Sequence, residues 1–262
     1  MVRIFLAILR SFFRARMTVR PIEPADRDEV AKLLSEQFAY WEPLTRKLRL
    51  SSSELLPLIS AHIDYCAAGK LGVVARGHDG ALLGVITAED DYRPFVPPEA
   101  LLTPRLRMVG DILGRVDVPS AWTPKGEGDL FYCDLAAIDP VLADKHVLAA
   151  LALGILDHLS AIGFKRGYAK VTNPRMVDRM RGFERLLRRP IFTELCRYRD
   201  PMGNQVVAIG WSLDFWHSRV ALVLRNLGER VVSFGLSGFR KIVYALRLAP
   251  RASFIIAGEK KR

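Results

Sequence analysis

Apolar and polar residues follow two different periods along this chain, which predicts a succession of strands and helices. A short strand pattern at 18–21 precedes two stretches with apolar residues at helical spacing, and a hairpin pattern follows over 71–89. After an irregular stretch, the pattern predicts a strand at 129–138, a helix at 142–161, a strand at 166–172, a helix at 174–187 and strands at 191–198 and 204–212. Interleaved strands and helices of this kind favour a three-layer α/β domain with a mixed sheet.

The irregular stretch, residues 90–128, separates the hairpin from the strand that follows it. Several prolines interrupt it, yet Leu102, Leu106 and Val109 have helical spacing and predict a helix inside. Because the stretch has an apolar face of its own, we interpret it as an inserted flap rather than a linker.

The two ends carry most of the net charge, which is +11 at pH 7 for the whole chain. Residues 1–16 have apolar residues on one helical face and arginines on another, a pattern typical of basic amphipathic helices. An equally open alternative is that translation starts at Met17. The extension 213–262 is also basic and predicts two amphipathic helices. These ends make an anionic membrane surface a candidate partner, whereas we expect no nucleic-acid binding, because the aromatic residues of the extension fit apolar helix faces.

The cysteines and histidines give no indication of a disulfide framework or a metal site. The three cysteines contain no CxxC pair, and the five histidines are not at metal-ligand spacing. A reducing compartment fits this number and spacing of cysteines best. We therefore expect a cytoplasmic protein without a bound metal, with peripheral attachment to the inner face of the membrane as the option that the basic ends leave open.

Two segments carry a resemblance to a known family. The opening TVRPIEPADRDEVAKLL is similar to the first strand and helix of many GNAT acyltransferases. The segment LAAIDPVLADKHVLAALALGILDHLSAIGFKRGYAKVTNP resembles the acyl-CoA-binding stretch of that superfamily, with Ile138-Asp139-Pro140 and Asn173 as landmarks. The resemblance covers about residues 17–212. It implies a central mixed, mostly antiparallel twisted sheet with helices on both faces.

The resemblance also implies a donor, an acceptor and a binding site. The donor is acetyl-CoA or a longer acyl-CoA, with an acyl carrier protein as an alternative, and the acceptor is a small-molecule amine that attacks the thioester directly. Two neighbouring parallel strands would splay at their ends, so that a pantetheine arm hydrogen-bonds the unpaired backbone and the pyrophosphate meets the start of the long helix. The residues expected to bind the donor are Ala137, Ile138, Ala143, Asp144, Lys145, His146, Val147, Leu148 and Asn173.

The chain departs from the GNAT pattern at two places. The phosphate loop usually reads Arg/Gln-x-x-Gly-x-Gly/Ala, but residues 143–148 contain neither glycine nor the leading basic residue. The tyrosine that many members use to protonate the leaving thiolate is replaced by Met180 or Phe183, depending on the alignment. These losses motivate an alternative, a catalytically inactive GNAT-like module that binds a ligand or partner.

The candidate catalytic residues lie on the strand at 129–138. Asp134 is a carboxylate within an otherwise apolar strand, and Tyr132 lies on the same side by the period of two. We predict Asp134 as the base, with a raised pKa if it is desolvated, and Tyr132 as the acid or an orienting hydroxyl. The alternative is a structural pair between Asp134 and an arginine of the helix at 174–187. We interpret residues 89–91 (Glu-Asp-Asp) as a solvated strand end, although they could also bind a cationic acceptor.

Overall fold

A computed structural model describes residues 17–142, 147–187, 192–199, 203 and 205–213. Seven strands form one sheet in the order β1-β2-β3-β4-β5-β7-β6. The strands are β1 (Met17–Pro21), β2 (Gly72–Gly77), β3 (Leu82–Asp90), β4 (Leu130–Ile138), β5 (Arg166–Val171), β6 (Thr193–Arg199) and β7 (Gln205–Ser212).

Six α-helices connect these strands, together with three short 3₁₀ turns, within the described part of the chain. The helices are α1 (Arg27–Trp41), α2 (Pro43–Lys47), α3 (Ser52–Gly69), α4 (Pro104–Gly114), α5 (Val147–Ala161) and α6 (Pro174–Leu187). The 3₁₀ turns are Pro24–Asp26, Glu99–Leu101 and Ser120–Trp122. The predicted order of elements is confirmed, and the short helix α2 is an addition to it.

The sheet is mixed and has helices on both faces, as the sequence predicted. Only β4 and β5 run parallel, and every other described pair of strands is antiparallel. Along β2, Val73 and Ala75 pack into the core cluster that contains α5, while Val74 packs into the cluster that contains α1 and α3. This alternation follows from the period of two in a strand, and it divides the core between the two faces.

The insert at 90–128 contains the predicted helix, α4, and packs on the core. Thr103 caps this helix, because its hydroxyl accepts a hydrogen bond from the backbone N–H of Leu106. Leu106 joins the cluster of α1 and α3, and Ile112 joins a third cluster together with residues of β7. The apolar face of α4 therefore packs against the protein's own core.

The two basic ends lie outside the described residues, so their predicted amphipathic helices and membrane contacts stay predictions. Among the helices that the structure describes, none is both long and apolar enough to cross a bilayer.

Candidate active site

Strands β4 and β5 separate part-way along their length. Their parallel pairing runs from Leu130 opposite Arg166 to Cys133 opposite Ala169 and ends there. Beyond that point β4 continues to Ile138 paired only with β3, and the last residues of β5 pair only with β7. The backbone of residues 134–138 therefore has one edge without a strand partner among the described residues, which is the divergence that the sequence predicted.

A β-bulge lies at the point of separation. Asp134 and Leu135 of β4 together stand opposite a single residue of β3, Thr87. One carboxylate oxygen of Asp134 accepts hydrogen bonds from the Thr87 hydroxyl at 2.6 Å and from the Leu135 N–H at 2.7 Å. The bulge thus places a strand carboxylate beside the first unpaired residues of β4.

The other carboxylate oxygen of Asp134 faces a histidine of α3. The Nε2 atom of His62 lies 2.9 Å from Asp134 Oδ2, and both side chains are at least nine-tenths buried. Burial disfavours the charged imidazole, but the nearby Asp134 carboxylate outweighs it and raises the pKa of His62 to about 11. Burial likewise opposes ionisation of Asp134, yet His62 and its hydrogen-bond donors lower its pKa. The two form a buried ion pair at neutral pH.

Glu89, near the end of β3, completes the cluster. Its Oε1 lies 3.7 Å from His62 Nδ1, and its Oε2 accepts a hydrogen bond of 3.1 Å from the backbone N–H of Phe95. Burial and the neighbouring Asp134 charge raise the pKa of Glu89 to about 7, although His62 opposes this rise. A carboxyl group that titrates near neutrality can exchange a proton with a substrate.

Sequence comparisons give no match: no protein-family model matches the chain, and no curated protein does either. Solved structures do match its fold. Arylalkylamine N-acetyltransferase 2 from Aedes aegypti has 13% identity and a TM-score of 0.57, over 75% of this chain and 99% of that chain. The C-terminal condensation domain of Ebony, solved with beta-alanyl-dopamine, has 12% identity and a TM-score of 0.56, over 75% and 98%. An agmatine N-acetyltransferase has 14% identity and a TM-score of 0.52, over 75% and 99%.

The chain has the GNAT fold. The low identity limits the likeness to the fold itself.

The two candidate catalytic residues, Tyr132 and Asp134, lie on one face of β4. Phe131 and Cys133 point to the other face, where they pack in the core cluster that contains α5. Tyr132 stacks on Tyr168 of β5 with ring centroids 5.0 Å apart. Burial raises the pKa of Tyr132 well above its usual value, so its hydroxyl stays protonated. No described residue is hydrogen-bonded to that hydroxyl.

The residues predicted to bind the donor are distributed along the open edge and around it. Ala137 and Ile138 pair with Val85 and Gly84 of β3, so their other backbone edge faces the gap. Val147 begins α5 and is buried, and Leu148 packs against the same cluster. Asn173 lies between β5 and α6. The expected phosphate-loop residues 143–146 lie outside the described residues.

Two functional candidates were missed or misjudged from the sequence. His62 is on α3 beside the buried residues Ile63 and Cys66, and nothing in its local pattern distinguishes it from a core histidine. Glu89 and Asp90 are not a solvated strand end: the side chain of Glu89 is 14% exposed and Asp90 is 6% exposed. Asp90 accepts hydrogen bonds from the backbone N–H groups of Tyr92 and Gly128. The described partner of Asp134 is His62, and the one arginine of α6 whose side chain is described, Arg181, pairs with Glu184.

The donor atoms of His62, Glu89 and Asp134 lie within 4.8 Å of one another, a spacing that could also hold a metal ion. The described contacts do not form a nucleophilic triad. Cys66 Sγ lies 3.2 Å from the same Nε2 atom that Asp134 already occupies. The histidine therefore has no second nitrogen with which to relay a proton from the thiol to the aspartate, and burial raises the pKa of Cys66.

Proposed function

We propose that this chain is an acyl-CoA-dependent N-acyltransferase that transfers an acetyl or longer acyl group to a small amine. The observation that carries the proposal is the unpaired edge of β4 from Asp134 to Ile138, which begins at a buried proton-exchanging cluster. A strand edge beside such a cluster allows an extended donor to be bound and a proton to be removed at one place.

The donor would lie along this edge as an added strand. The amide groups of the pantetheine arm are matched to the free backbone groups near Ala137 and Ile138, and a free N–H there would polarise the thioester carbonyl. The pyrophosphate would approach the N-terminal end of α5, where unpaired N–H groups favour anions. The same pantetheine arm is present on acyl carrier proteins, which remain an alternative donor.

The chemical step is a direct attack of the amine on the thioester. The amine nitrogen bonds to the carbonyl carbon, the carbon–sulfur bond breaks, and the thiolate leaves. The cluster of His62, Glu89 and Asp134 receives the amine proton, and the Tyr132 hydroxyl supplies a proton to the thiolate. The Tyr132 hydroxyl is protonated at neutral pH, although burial raises its pKa and therefore opposes loss of that proton. In this role Tyr132 substitutes for the tyrosine that is missing at Met180 or Phe183.

The acceptor is proposed to be a primary amine of low molecular mass. Proteins of the same fold include an arylalkylamine and an agmatine N-acetyltransferase, whose names identify such acceptors. In this chain, the aromatic rings of Tyr65 and Phe95 lie 5.8 Å apart beside His62, and Glu89 supplies a carboxylate. Carboxylates attract an ammonium group, and aromatic rings pack on an apolar body.

The second candidate is a module that binds acyl-CoA or another ligand without catalysis. The observation that favours it is the missing pair of glycines in residues 143–148, because glycine lets a backbone approach phosphate closely. Such a module would bind coenzyme A but release no thiol.

The proposed activity is tested by measuring thiol release over a panel of acyl-CoAs and primary amines, with mass spectrometry of the product. We expect amine-dependent release and an amide of matching mass. We expect Asp134→Asn to be at least about 100-fold slower, because it breaks the ion pair with His62. Asp111→Asn, on the exposed surface of α4, is the matched control and should keep the wild-type rate. Donor binding by calorimetry without any thiol release would support the binding module instead.

A further inference from the structure

Three ionisable groups share the cluster, and their hydrogen bonds distinguish their roles. We propose that Glu89 is the residue that takes the proton from the acceptor amine, and that His62 is a positioning residue held by Asp134. This inference rests on the proposed function. It differs from the sequence-based expectation, in which Asp134 itself was the base.

Asp134 has no carboxylate oxygen left for a substrate proton. Its Oδ1 accepts hydrogen bonds from Thr87 and from the Leu135 N–H, and its Oδ2 faces the Nε2 of His62 at 2.9 Å. A proton arriving on Asp134 would have to break a buried ion pair, which is strongly unfavourable. Asp134 is therefore suited to hold His62 and is poorly suited to act as a base.

Glu89 has one oxygen that a backbone N–H holds, and its carboxyl group is also hydrogen-bonded to Asp134, which raises its pKa. The Phe95 N–H binds Oε2 at 3.1 Å, whereas Oε1 lies 3.7 Å from His62 Nδ1, which is longer than a hydrogen bond. His62 thus faces Asp134 with one ring nitrogen and Glu89 with the other. The positive charge of His62 favours the ionised form of Glu89, whereas the hydrogen bond to Asp134 stabilises Glu89 once it has accepted a proton.

The surroundings of Glu89 bury most of its side chain and leave it beside the open edge of β4. The ring of Phe95 lies 5.1 Å from the His62 ring in an edge-to-face contact, and the Tyr65 hydroxyl donates to the carbonyl of Arg93 at 2.8 Å. Glu89 is opposite Tyr132 in the strand register, and its carboxylate is within 4.8 Å of the ligand-type atoms of Asp134 and His62. The group that accepts the proton is thus adjacent to the first unpaired residue of β4.

The other ionisable groups around Glu89 do not substitute for it. Burial raises the pKa of Tyr65, Cys66, Tyr132 and Tyr168, so these side chains are neutral near pH 7. Burial lowers the pKa of Lys170, whose ammonium donates to the carbonyl of Leu113 at 2.9 Å. The groups that interact electrostatically with Glu89 from the surrounding elements are His62, Tyr65, Cys66, Tyr132, Asp134, Tyr168 and Lys170.

The pH dependence of kcat/KM tests this assignment. Because a base must be ionised, we expect the wild-type rate to rise with pH through a step near 7, the value to which burial and Asp134 raise the pKa of Glu89. Because the step reports a group of the protein, it should occur at the same pH with two amines of different basicity. Glu89→Gln should remove the step and lower the rate by about 10²–10⁴-fold, while Glu89→Asp keeps a step at an intermediate rate. Glu127→Gln, an exposed residue of the insert, should leave rate and step unchanged.

His62→Gln separates positioning from a purely structural role. Loss of the imidazolium leaves Glu89 beside the Asp134 charge without compensation, so the step should move to higher pH. Calorimetry with coenzyme A checks that each variant is folded and binds donor. An active wild-type protein without a step between pH 6 and 8, or a Glu89→Gln variant with wild-type rate and step, overturns the assignment but leaves the proposed function standing. A wild-type protein that releases no thiol overturns both.

Discussion

Asp26 illustrates how this protein accommodates buried charge away from the site. Its side chain is 2% exposed and receives hydrogen bonds from Arg20 at 2.6 and 2.8 Å and from Arg76 at 2.7 Å. The backbone N–H of Glu23 donates to it as well, at 2.9 Å. Burial alone would raise the pKa of Asp26, but these donors lower it from 3.8 to about 2. The carboxylate therefore fastens β1 and β2 to the start of α1.

Asp26→Asn should lower the free energy of unfolding at pH 7 by about 2–3 kcal/mol, because two arginines lose their charged partner. The folded-state pKa is depressed, so this contribution is present above about pH 4 and is lost as the pH falls through 2. Chemical unfolding at several pH values measures both effects. The exposed Asp28→Asn is the matched control and should be nearly neutral. Equal effects of the two substitutions would contradict this account.

The difference between Asp134 and His62 illustrates what could be predicted for single residues. A carboxylate inside an apolar strand is visible in the sequence, so Asp134 stood out. His62 was not visible as its partner, because the contact depends on how α3 packs across β3 and β4. Glu89 was misjudged for the same reason: it lies beside His62 of α3 and Asp134 of β4, and the backbone N–H of Phe95 in the insert donates to it.

The closed end of the gap, where β4 and β5 still pair, depends on a glycine of β5. A side chain at Gly167 would place its Cβ 2.2–2.6 Å from the ring of Phe131, which is fully buried in the core. Glycine thus lets the aromatic ring of β4 lie against β5 where the strands still pair. The same two strands diverge only after Cys133 and Ala169, so the gap has a rigid base.

Gly167→Ala should therefore destabilise the protein by about 1–3 kcal/mol, since a well-packed core resists an added methyl group. Gly110→Ala is a matched control in the exposed part of α4, where an added Cβ meets nothing within 4 Å. That substitution should be neutral or stabilise the protein by about 0.5–1 kcal/mol. Thermal unfolding of both variants checks the contrast, and a harmless Gly167→Ala would argue against a rigid base.

Periodicity predicted the elements well because each one buries a face with its own repeat. The parallel pairing of β4 with β5 and the end of that pairing followed from the resemblance. The insertion of β7 between β5 and β6 was not predicted, because strand order depends on long-range contacts. The bulge at Asp134 and Leu135 was also invisible, since it is one extra residue relative to β3.

At the scale of the whole molecule, the sequence resemblance and the structural comparisons agree on the fold. Family-like residues around Ile138 and Asn173 were sufficient to predict the GNAT fold, although the three solved structures compared above are only 12–14% identical to the chain. The acceptor could not be predicted, because the side chains proposed to surround it come from α3, the end of β3 and the insert. These segments are distant in sequence, and only folding brings them together.

The most direct measurement is a crystal structure of this protein grown with coenzyme A. The account predicts that the pantetheine arm lies along β4 between Asp134 and Ile138, with a hydrogen bond to that backbone and its thiol end toward the His62–Glu89–Asp134 cluster. Coenzyme A bound elsewhere, or β4 and β5 paired beyond Cys133 and Ala169 in the complex, would contradict it.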